Sequence, residues 1–287
     1  MTSPPGPAAF VDLHMHSTAS DGSRAPRDVV RAAASAGLTA IALTDHDTVG
    51  GLAEAQAAGV ELGVRIINGV ELSAVEGDAE SHLLGLHLRD ALVIERELGA
   101  LRDMRERRGQ QIVEKLVALG VQVTFDDVLA QSGGGVVGRP HVARALVADG
   151  WATDVRDAFD RYLGAGKPAY VAKDQLGMAH AIALIHAAGG LAVLAHPGGA
   201  GTRERLVALM ALGLDGVEVK HPGHSPGDTA RLKAVAAQLG LVVSGGSDWH
   251  GAADGPRTIG MMQVPEEWLA LQDACLSAAG ARAGGVT

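Results

Sequence analysis

The sequence predicts an α/β fold, a parallel sheet assembled from repeated βα units and interrupted by one helical insertion. Three observations predict it. Short apolar runs alternate with amphipathic or alanine-rich runs. The stretch from 92 to 172 abandons that rhythm. The chain has 287 residues, 47% hydrophobic and 20% charged, which is the composition of a globular protein able to bury a core.

Seven strands are predicted, at "AFVDL" (9–13), "TAIALT" (39–44), "RIINGVEL" (65–72), "SHLLGLHL" (81–88), "LAVLAH" (191–196), "GVEVK" (216–220) and "LVVSGGS" (241–247). Helices fill the gaps. "APRDVVRAAASAG" (25–37) has Pro26 where a first helical turn tolerates it and Gly37 as a stop. "RERLVALMALG" (203–213) and "DTARLKAVAAQLG" (228–240) repeat the pattern. From 92 onward a long charged helix or helix pair leads to further helical patterns, with no strand until "AYVA" (169–172). That stretch is too long for a βα loop and reads as an inserted subdomain. The expected division is therefore 8–91 with 173–287 for the sheet domain and 92–172 for the insertion. The Gly-rich "SGGGVVG" (132–138) lacks the GxGxxG spacing after a strand and reads as a flexible loop rather than a nucleotide fingerprint.

Composition excludes several functions. Aromatic residues are 3% of the chain, too few for a base-stacking platform. A net charge of -9 argues against a basic groove and against stable binding of duplex nucleic acid. It does not exclude phosphate substrates, because bound divalent cations reverse the local sign. The single cysteine, Cys275, rules out an internal disulfide and a CxxC site. No apolar run approaches the roughly 20 residues of a membrane span, and "MTSPPGPAAF" lacks the features of a signal peptide, so a cytoplasmic protein without membrane partners is expected.

The polar residues concentrate on one part of this map. His14 and His16 end the first strand, His46 the second and Glu71 the third, and His82 begins the fourth. His196 ends the fifth, Asp248 and His250 follow the last, and Asp21 lies shortly after the first. Apart from His82 these positions lie at or after the carboxyl ends of predicted parallel strands, where α/β proteins build active sites. Each has an ordinary structural reading. HxH alternation occurs without metals, Asp45 in "TDHDT" could cap a helix, and a lone His82 or His87 is usually satisfied by a backbone carbonyl. Six histidines and three carboxylates at six strand ends are hard to produce for structural reasons alone, since each unpaired buried polar group costs about 1–3 kcal/mol. Imidazole with carboxylate and no thiolate suits zinc, manganese or iron. The surplus of ligands calls for two or three ions, which would lower the pKa of a bound water and stabilise a phosphoryl transition state.

Taken in order, "DLHMHSTASDG", "LTDHDT", "GVELS", "SHLLGL", "AHPGG" and "GSDWHG" resemble the motifs of the PHP phosphoesterases (polymerase and histidinol phosphatase) of the amidohydrolase superfamily. The resemblance implies a distorted (β/α)7 barrel with the helical insertion, and two or three divalent ions, manganese foremost, with zinc or iron as alternatives. It implies that His14, His16, Glu71 and Asp248 hold a first ion, that Glu71 bridges to a second held by His82 and His196, and that Asp21, His46 and His250 hold a third. Catalysis would then rest on Glu71, Asp248 and His196.

The insertion, with "GRPHVARALV" (138–147) and "GKPAYVAK" (166–173), resembles the subgroup that removes the 3'-phosphate of nucleoside 3',5'-bisphosphates such as pAp. Some members of that subgroup also trim RNA or short oligonucleotides from the 5' end. The expected partner is thus a small phosphorylated nucleotide or an oligonucleotide 5' end. Phosphate-binding candidates are Arg139, whose planar fork suits phosphate, with His141, Lys167, His224 and Ser225, and Lys173 as a weaker one. Competing readings are a phosphatase of another small phosphomonoester such as histidinol phosphate, a polymerase-associated 3'-5' exonuclease module, and a catalytically silent metal-binding regulatory module.

Overall fold

The computed structural model describes residues 9–77, 79–132, 137–171, 176–255 and 257–283. The chain divides into two compact units, Met1–Glu95 with Leu176–Thr287 and Arg96–Gln175.

The strands are β1 (Phe10–Met15), β2 (Ala40–Leu43), β3 (Arg65–Glu76), β4 (Ala79–Leu86), β5 (Leu191–Leu194), β6 (Gly216–Lys220), β7 (Val242–Gly245) and β8 (Val264–Pro265). They form one sheet in the order β7-β6-β5-β4-β3-β2-β1-β8. The helices are α1 (Pro26–Ser35), α2 (Leu52–Leu62), α3 (Ala91–Ala118), α4 (Phe125–Ser132), α5 (Arg139–Ala148) and α6 (Val155–Ala158), which runs into a π-helical turn at Phe159–Leu163. They continue with α7 (Met178–Ala187), α8 (Arg203–Met210), α9 (Pro226–Leu239) and α10 (Glu266–Ala283).

The sheet of the first unit curls into a nearly closed barrel. Its two ends meet where the segment after β7 pairs with the end of β1. Asp248 N donates to His14 O and His16 N to Trp249 O, each at 2.9 Å, and Met15 and Trp249 form a parallel bridge. Gly246 makes that approach feasible, because a Cβ there would lie 2.4 Å from His14 Cβ. Helices α1 and α2 cover one flank, burying Val29, Val30, Ala55 and Ala58 against Met15, Ile41 and Leu43. α1 starts with Pro26 in its first turn and is followed by Gly37 at φ 74°.

Three expectations from the sequence are corrected. The sheet is not wholly parallel, since β4 runs antiparallel to both β3 and β5. β3 ends at Glu76 and β4 begins at Ala79, a connection far shorter than the dozen or more residues that a parallel crossover needs. Glu71 does not end its strand but lies inside the 12-residue β3. β3 continues because its hairpin with β4 extends to the Glu76–Ala79 pair, whereas β2 pairs with it no further than Leu43 with Asn68. The sheet also has an eighth strand. β8 escapes sequence patterning because it is two residues long and contains Pro265, which an edge strand tolerates.

The second unit is helical, with a core of Ile112, Leu116, Val128, Val142, Leu146 and Leu163. The charged stretch from 92 onward is one 28-residue helix, α3. No strand forms at 169–171. Ala169 N bonds Tyr162 O and Tyr170 N bonds Lys167 O, which commits those backbone donors to turns. Ala172, Lys173 and Gly133, Gly134 and Gly135 of the 132–138 loop lie outside the described residues, while Gly138 precedes α5.

Candidate metal centre

Alternation along β1, continued by the residue just past its end, sends His14 and His16 to one face, and both are fully buried. Opposite them Glu71, also fully buried, presents a different group of imidazoles to each of its oxygens. Oε2 lies 3.1 Å from His14 Nε2, 3.2 Å from His16 Nε2 and 3.3 Å from His46 Nδ1. Oε1 lies 2.9 Å from His82 Nδ1 and 3.0 Å from His196 Nε2. The reversal of β4 brings His82 to this end of the barrel, where it pairs across the hairpin with Ser73.

Asp248 closes the other side. Its Oδ1 is 3.2 Å from His16 Nε2, 3.5 Å from His14 Nε2 and 3.6 Å from His250 Nδ1. Asp21, more exposed, is 3.2 Å from His250 Nε2, 3.8 Å from His16 Nδ1 and 4.0 Å from His46 Nε2. The fold thus gathers all nine residues expected from the motifs. Within them, His14, His16, Glu71 and Asp248 form one group of mutually close donor atoms. His46, Glu71 and His82 form a second, and His16, Asp21, His46 and His250 a third.

Two observations test whether divalent ions fit. Both ring nitrogens of His16 are buried without a hydrogen bond, although carboxylate oxygens lie 3.2 Å from Nε2 and 3.8 Å from Nδ1. Nitrogen and oxygen donors about 2.0–2.2 Å from a common ion stand roughly 3.0–3.6 Å from one another, and the nitrogen–oxygen distances among His14, His16, Glu71 and Asp248, 3.1–3.5 Å, fall within that range. Charge balance agrees with geometry. Burial pushes the Glu71 carboxyl upward, but the charge of His14, its hydrogen bond and the neighbouring imidazoles of His16 and His196 outweigh it and hold it far below the carboxylate range. Asp248 is depressed in the same way: burial opposes, and the adjacent imidazoles of His16 and His221 prevail. Burial lowers His14, yet Glu71 and Glu218 raise it well above its ordinary value. Divalent ions would supply counter-charge for these buried carboxylates, and the nitrogen and oxygen donors present fit them.

Two of the centre's residues also carry a strained backbone. His196 has φ 28° and Asp248 φ 51°, in the left-handed region that non-glycine residues seldom occupy.

The PHP domain model matches residues 12–189, more than half of the chain. The chain belongs to the PHP domain family. It is 38% identical over 259 residues to a 3',5'-nucleoside bisphosphate phosphatase of Chromobacterium violaceum, covering 88% of this chain and 91% of that protein. It is also 38% identical over 245 residues to a 5'-3' exoribonuclease of Haemophilus influenzae, covering 83% and 89%. A solved structure from Bifidobacterium adolescentis, described as a metal-dependent phosphoesterase, superposes with a TM-score of 0.67 at 35% identity, covering 94% of this chain and 97% of that one. This PHP chain is a hydrolase with residues clustered to bind metal ions.

The phosphate candidates of the PHP chain fall in different places. His224 lines a cavity of about 370 Å³ over the centre, together with His221 and Arg257. Both ring nitrogens of His224 are engaged, Nε2 accepting from Gly198 N and Nδ1 donating to Val219 O. The Ser225 hydroxyl caps α9, accepting from Asp228 N at 3.1 Å and donating to Asp228 Oδ2 at 2.6 Å. Arg139, His141 and Lys167 belong to the second unit. There Arg139 lies against Phe159 and Tyr170, 5.7 and 5.5 Å from their ring centroids, and donates to Leu163 O. His141 Nδ1 accepts from Gly138 N at the start of α5, and Lys167 is exposed.

Asp45 is not a helix cap. It accepts from Ser17 N, Ser17 Oγ and Ser20 Oγ, each at 2.7 Å, and so pins the segment that carries Asp21. His87 lies beyond the end of β4, away from the centre, bonded to Gln272 at 2.9 Å.

Sequence reasoning missed four polar residues. Glu218, wholly buried on β6, accepts from His14 Nδ1 at 3.1 Å and from His196 N at 2.7 Å. Its signal was a single acidic residue between the valines of "GVEVK". His221, one residue past β6, carries the same strand-end signal as the nine, and its Nε2 is 3.3 Å from Asp248 Oδ2. Asp12 accepts from Ser247 N and His14 N, and burial raises its carboxyl to about 6. Arg257 sits in a loop with no distinguishing pattern.

Proposed function

We propose that this chain hydrolyses the 3'-phosphate of nucleoside 3',5'-bisphosphates, converting pAp to AMP and inorganic phosphate, and that it also trims short RNA from the 5' end. The observation that carries the reading is Glu71, whose two oxygens face two separate sets of imidazoles, the arrangement of a carboxylate that bridges ions. The names of the 38%-identical relatives supply the substrate class.

In this reading His14, His16, Glu71 and Asp248 hold one divalent ion. Glu71, His82 and His196 hold a second, and Asp21, His46 and His250 a third, manganese being the first choice of metal. Such ions, when bound, lower the pKa of water and offset charge on the phosphoryl oxygens. The chain's own residues prepare the site for them. Glu71 and Asp248 stay ionised across the physiological range. Burial lowers His46, which keeps its imidazole in the neutral, ligating form. Glu218 holds His14 through Nδ1, leaving Nε2 directed at Glu71. Arg139 and Lys167 are the proposed grips for a substrate phosphate, with His141 beside Arg139 in sequence. His224 and Ser225 then act as framework, since their polar atoms are already bonded.

The test is release of inorganic phosphate from pAp by manganese-reconstituted protein, beside histidinol phosphate and AMP. Strong preference for pAp supports the reading. Equal or better turnover of the monophosphates overturns the substrate assignment and leaves a phosphoesterase of different specificity. Arg139→Ala should lower kcat/KM for pAp with bound metal unchanged.

A further inference from the structure

Among the described residues lining the cavity over the metal centre, Arg257 is the one lysine or arginine. Its Nη1 lies 2.5 Å from Asp248 Oδ2 and 3.5 Å from Asp248 O, and its side chain is 48% exposed. With its arginine end half-exposed to solvent, this ion pair is screened and contributes little to stability. Asp248 does not depend on it either, because Oδ2 has a second donor. Gly223 N donates to His221 Nδ1 at 3.0 Å, so a neutral His221 carries its proton on Nε2 and offers it to Oδ2 at 3.3 Å.

The placement is unfavourable on simple electrostatic grounds. A permanent cation against a cluster that gathers divalent cations weakens their binding by like-charge repulsion. Asp248 offsets part of that repulsion, and an anion bound in the cavity between Arg257 and the ions would offset more. A guanidinium has five N–H donors in a planar fork, and Asp248 occupies one edge, which leaves donors for a phosphoryl oxygen in the cavity.

We propose that Arg257 is a substrate-binding residue that grips the phosphoryl group held at the metal centre, with Asp248 as its resting partner. The inference rests on the metal-centre reading but not on the identity of the nucleotide, because inorganic phosphate is the common product of any phosphomonoesterase.

The experiment compares the manganese-reconstituted wild type with Arg257→Gln and Arg257→Lys. Bound metal is measured by elemental analysis, phosphate affinity by calorimetry and folding by melting temperature. The expected result is unchanged metal and melting temperature with phosphate binding weakened roughly 10- to 100-fold in the glutamine variant, and partial recovery in the lysine variant. Unchanged phosphate affinity in Arg257→Gln would overturn the proposal. So would loss of metal in step with loss of phosphate, which would show that Arg257 acts only through Asp248. Failure of the wild type to bind phosphate would also overturn it. Phosphate binding that depends on Arg257 in a protein inactive on pAp would uphold this proposal while removing the substrate assignment above.

Discussion

Glu218 Oε1 accepts a hydrogen bond from His14 Nδ1 at 3.1 Å, with both side chains wholly buried, while Oε2 accepts from the backbone N of His196 at 2.7 Å. One carboxylate therefore orients a histidine of the first proposed ion site and the main chain of a histidine of the second. It also restrains His196 at its left-handed φ of 28°. Glu218→Gln can satisfy only one of these two donors. It should lower metal affinity about 10- to 100-fold, the usual consequence of losing an outer partner of a ligating histidine. Titration of metal-free protein with manganese checks this, and wild-type affinity in the variant would show that Glu218 is only a packing residue.

Removing Glu71 should have a larger effect. Its two oxygens serve both proposed sites, so Glu71→Ala should lose more than one ion and reduce hydrolysis on the order of 10²-fold or more. The second unit has its own core around Leu116, Val142 and Leu146 and should keep its helical signal. Elemental analysis and circular dichroism separate these outcomes. Full activity with normal metal content would sink the metal assignment.

Gly246→Ala should damage the centre without removing any polar group. The added methyl would stand 2.4 Å from His14 Cβ and 2.5 Å from His14 N, so the closure between β1 and the segment after β7 must open. Overpacking of this kind costs about 1–3 kcal/mol. A lowered denaturation midpoint together with reduced bound metal is expected, and an unchanged midpoint would mean that the strands can separate there freely.

Stability should also carry a pH signature remote from the centre. His186 Nε2 lies 2.7 Å from Asp215 Oδ2, and that hydrogen bond, against some loss of hydration, raises the histidine above its ordinary 6.5. A raised folded-state value means that the contribution is complete below 6.5 and fades as pH rises through the folded value. The melting-temperature difference between wild type and His186→Asn should therefore be largest in mildly acidic buffer and shrink in alkaline buffer. Because the pair is partly exposed, the difference should be small. A difference that grows with pH would contradict the pairing.

Much of the centre was legible in one dimension because its signals are local. His14 and His16 share a face through strand alternation alone, and β1, β2 and β5 to β7 were visible as apolar runs with polar residues at their ends. The sequence by itself determined the seven longer strands, the interrupting helical stretch and the nine residues that converge. The direction of β4 was also within reach, because only a few residues separate it from β3. What only the tertiary structure decided are relations between distant segments. Glu218 meets His14 across 204 positions, and His221 and Arg257 meet Asp248 from separate loops. Closure of the barrel decides which oxygen of Glu71 faces which imidazoles. The reason is physical: backbone periodicity fixes the face on which a side chain points, whereas its partner is set by sheet register and barrel closure, which sum contacts over the whole unit.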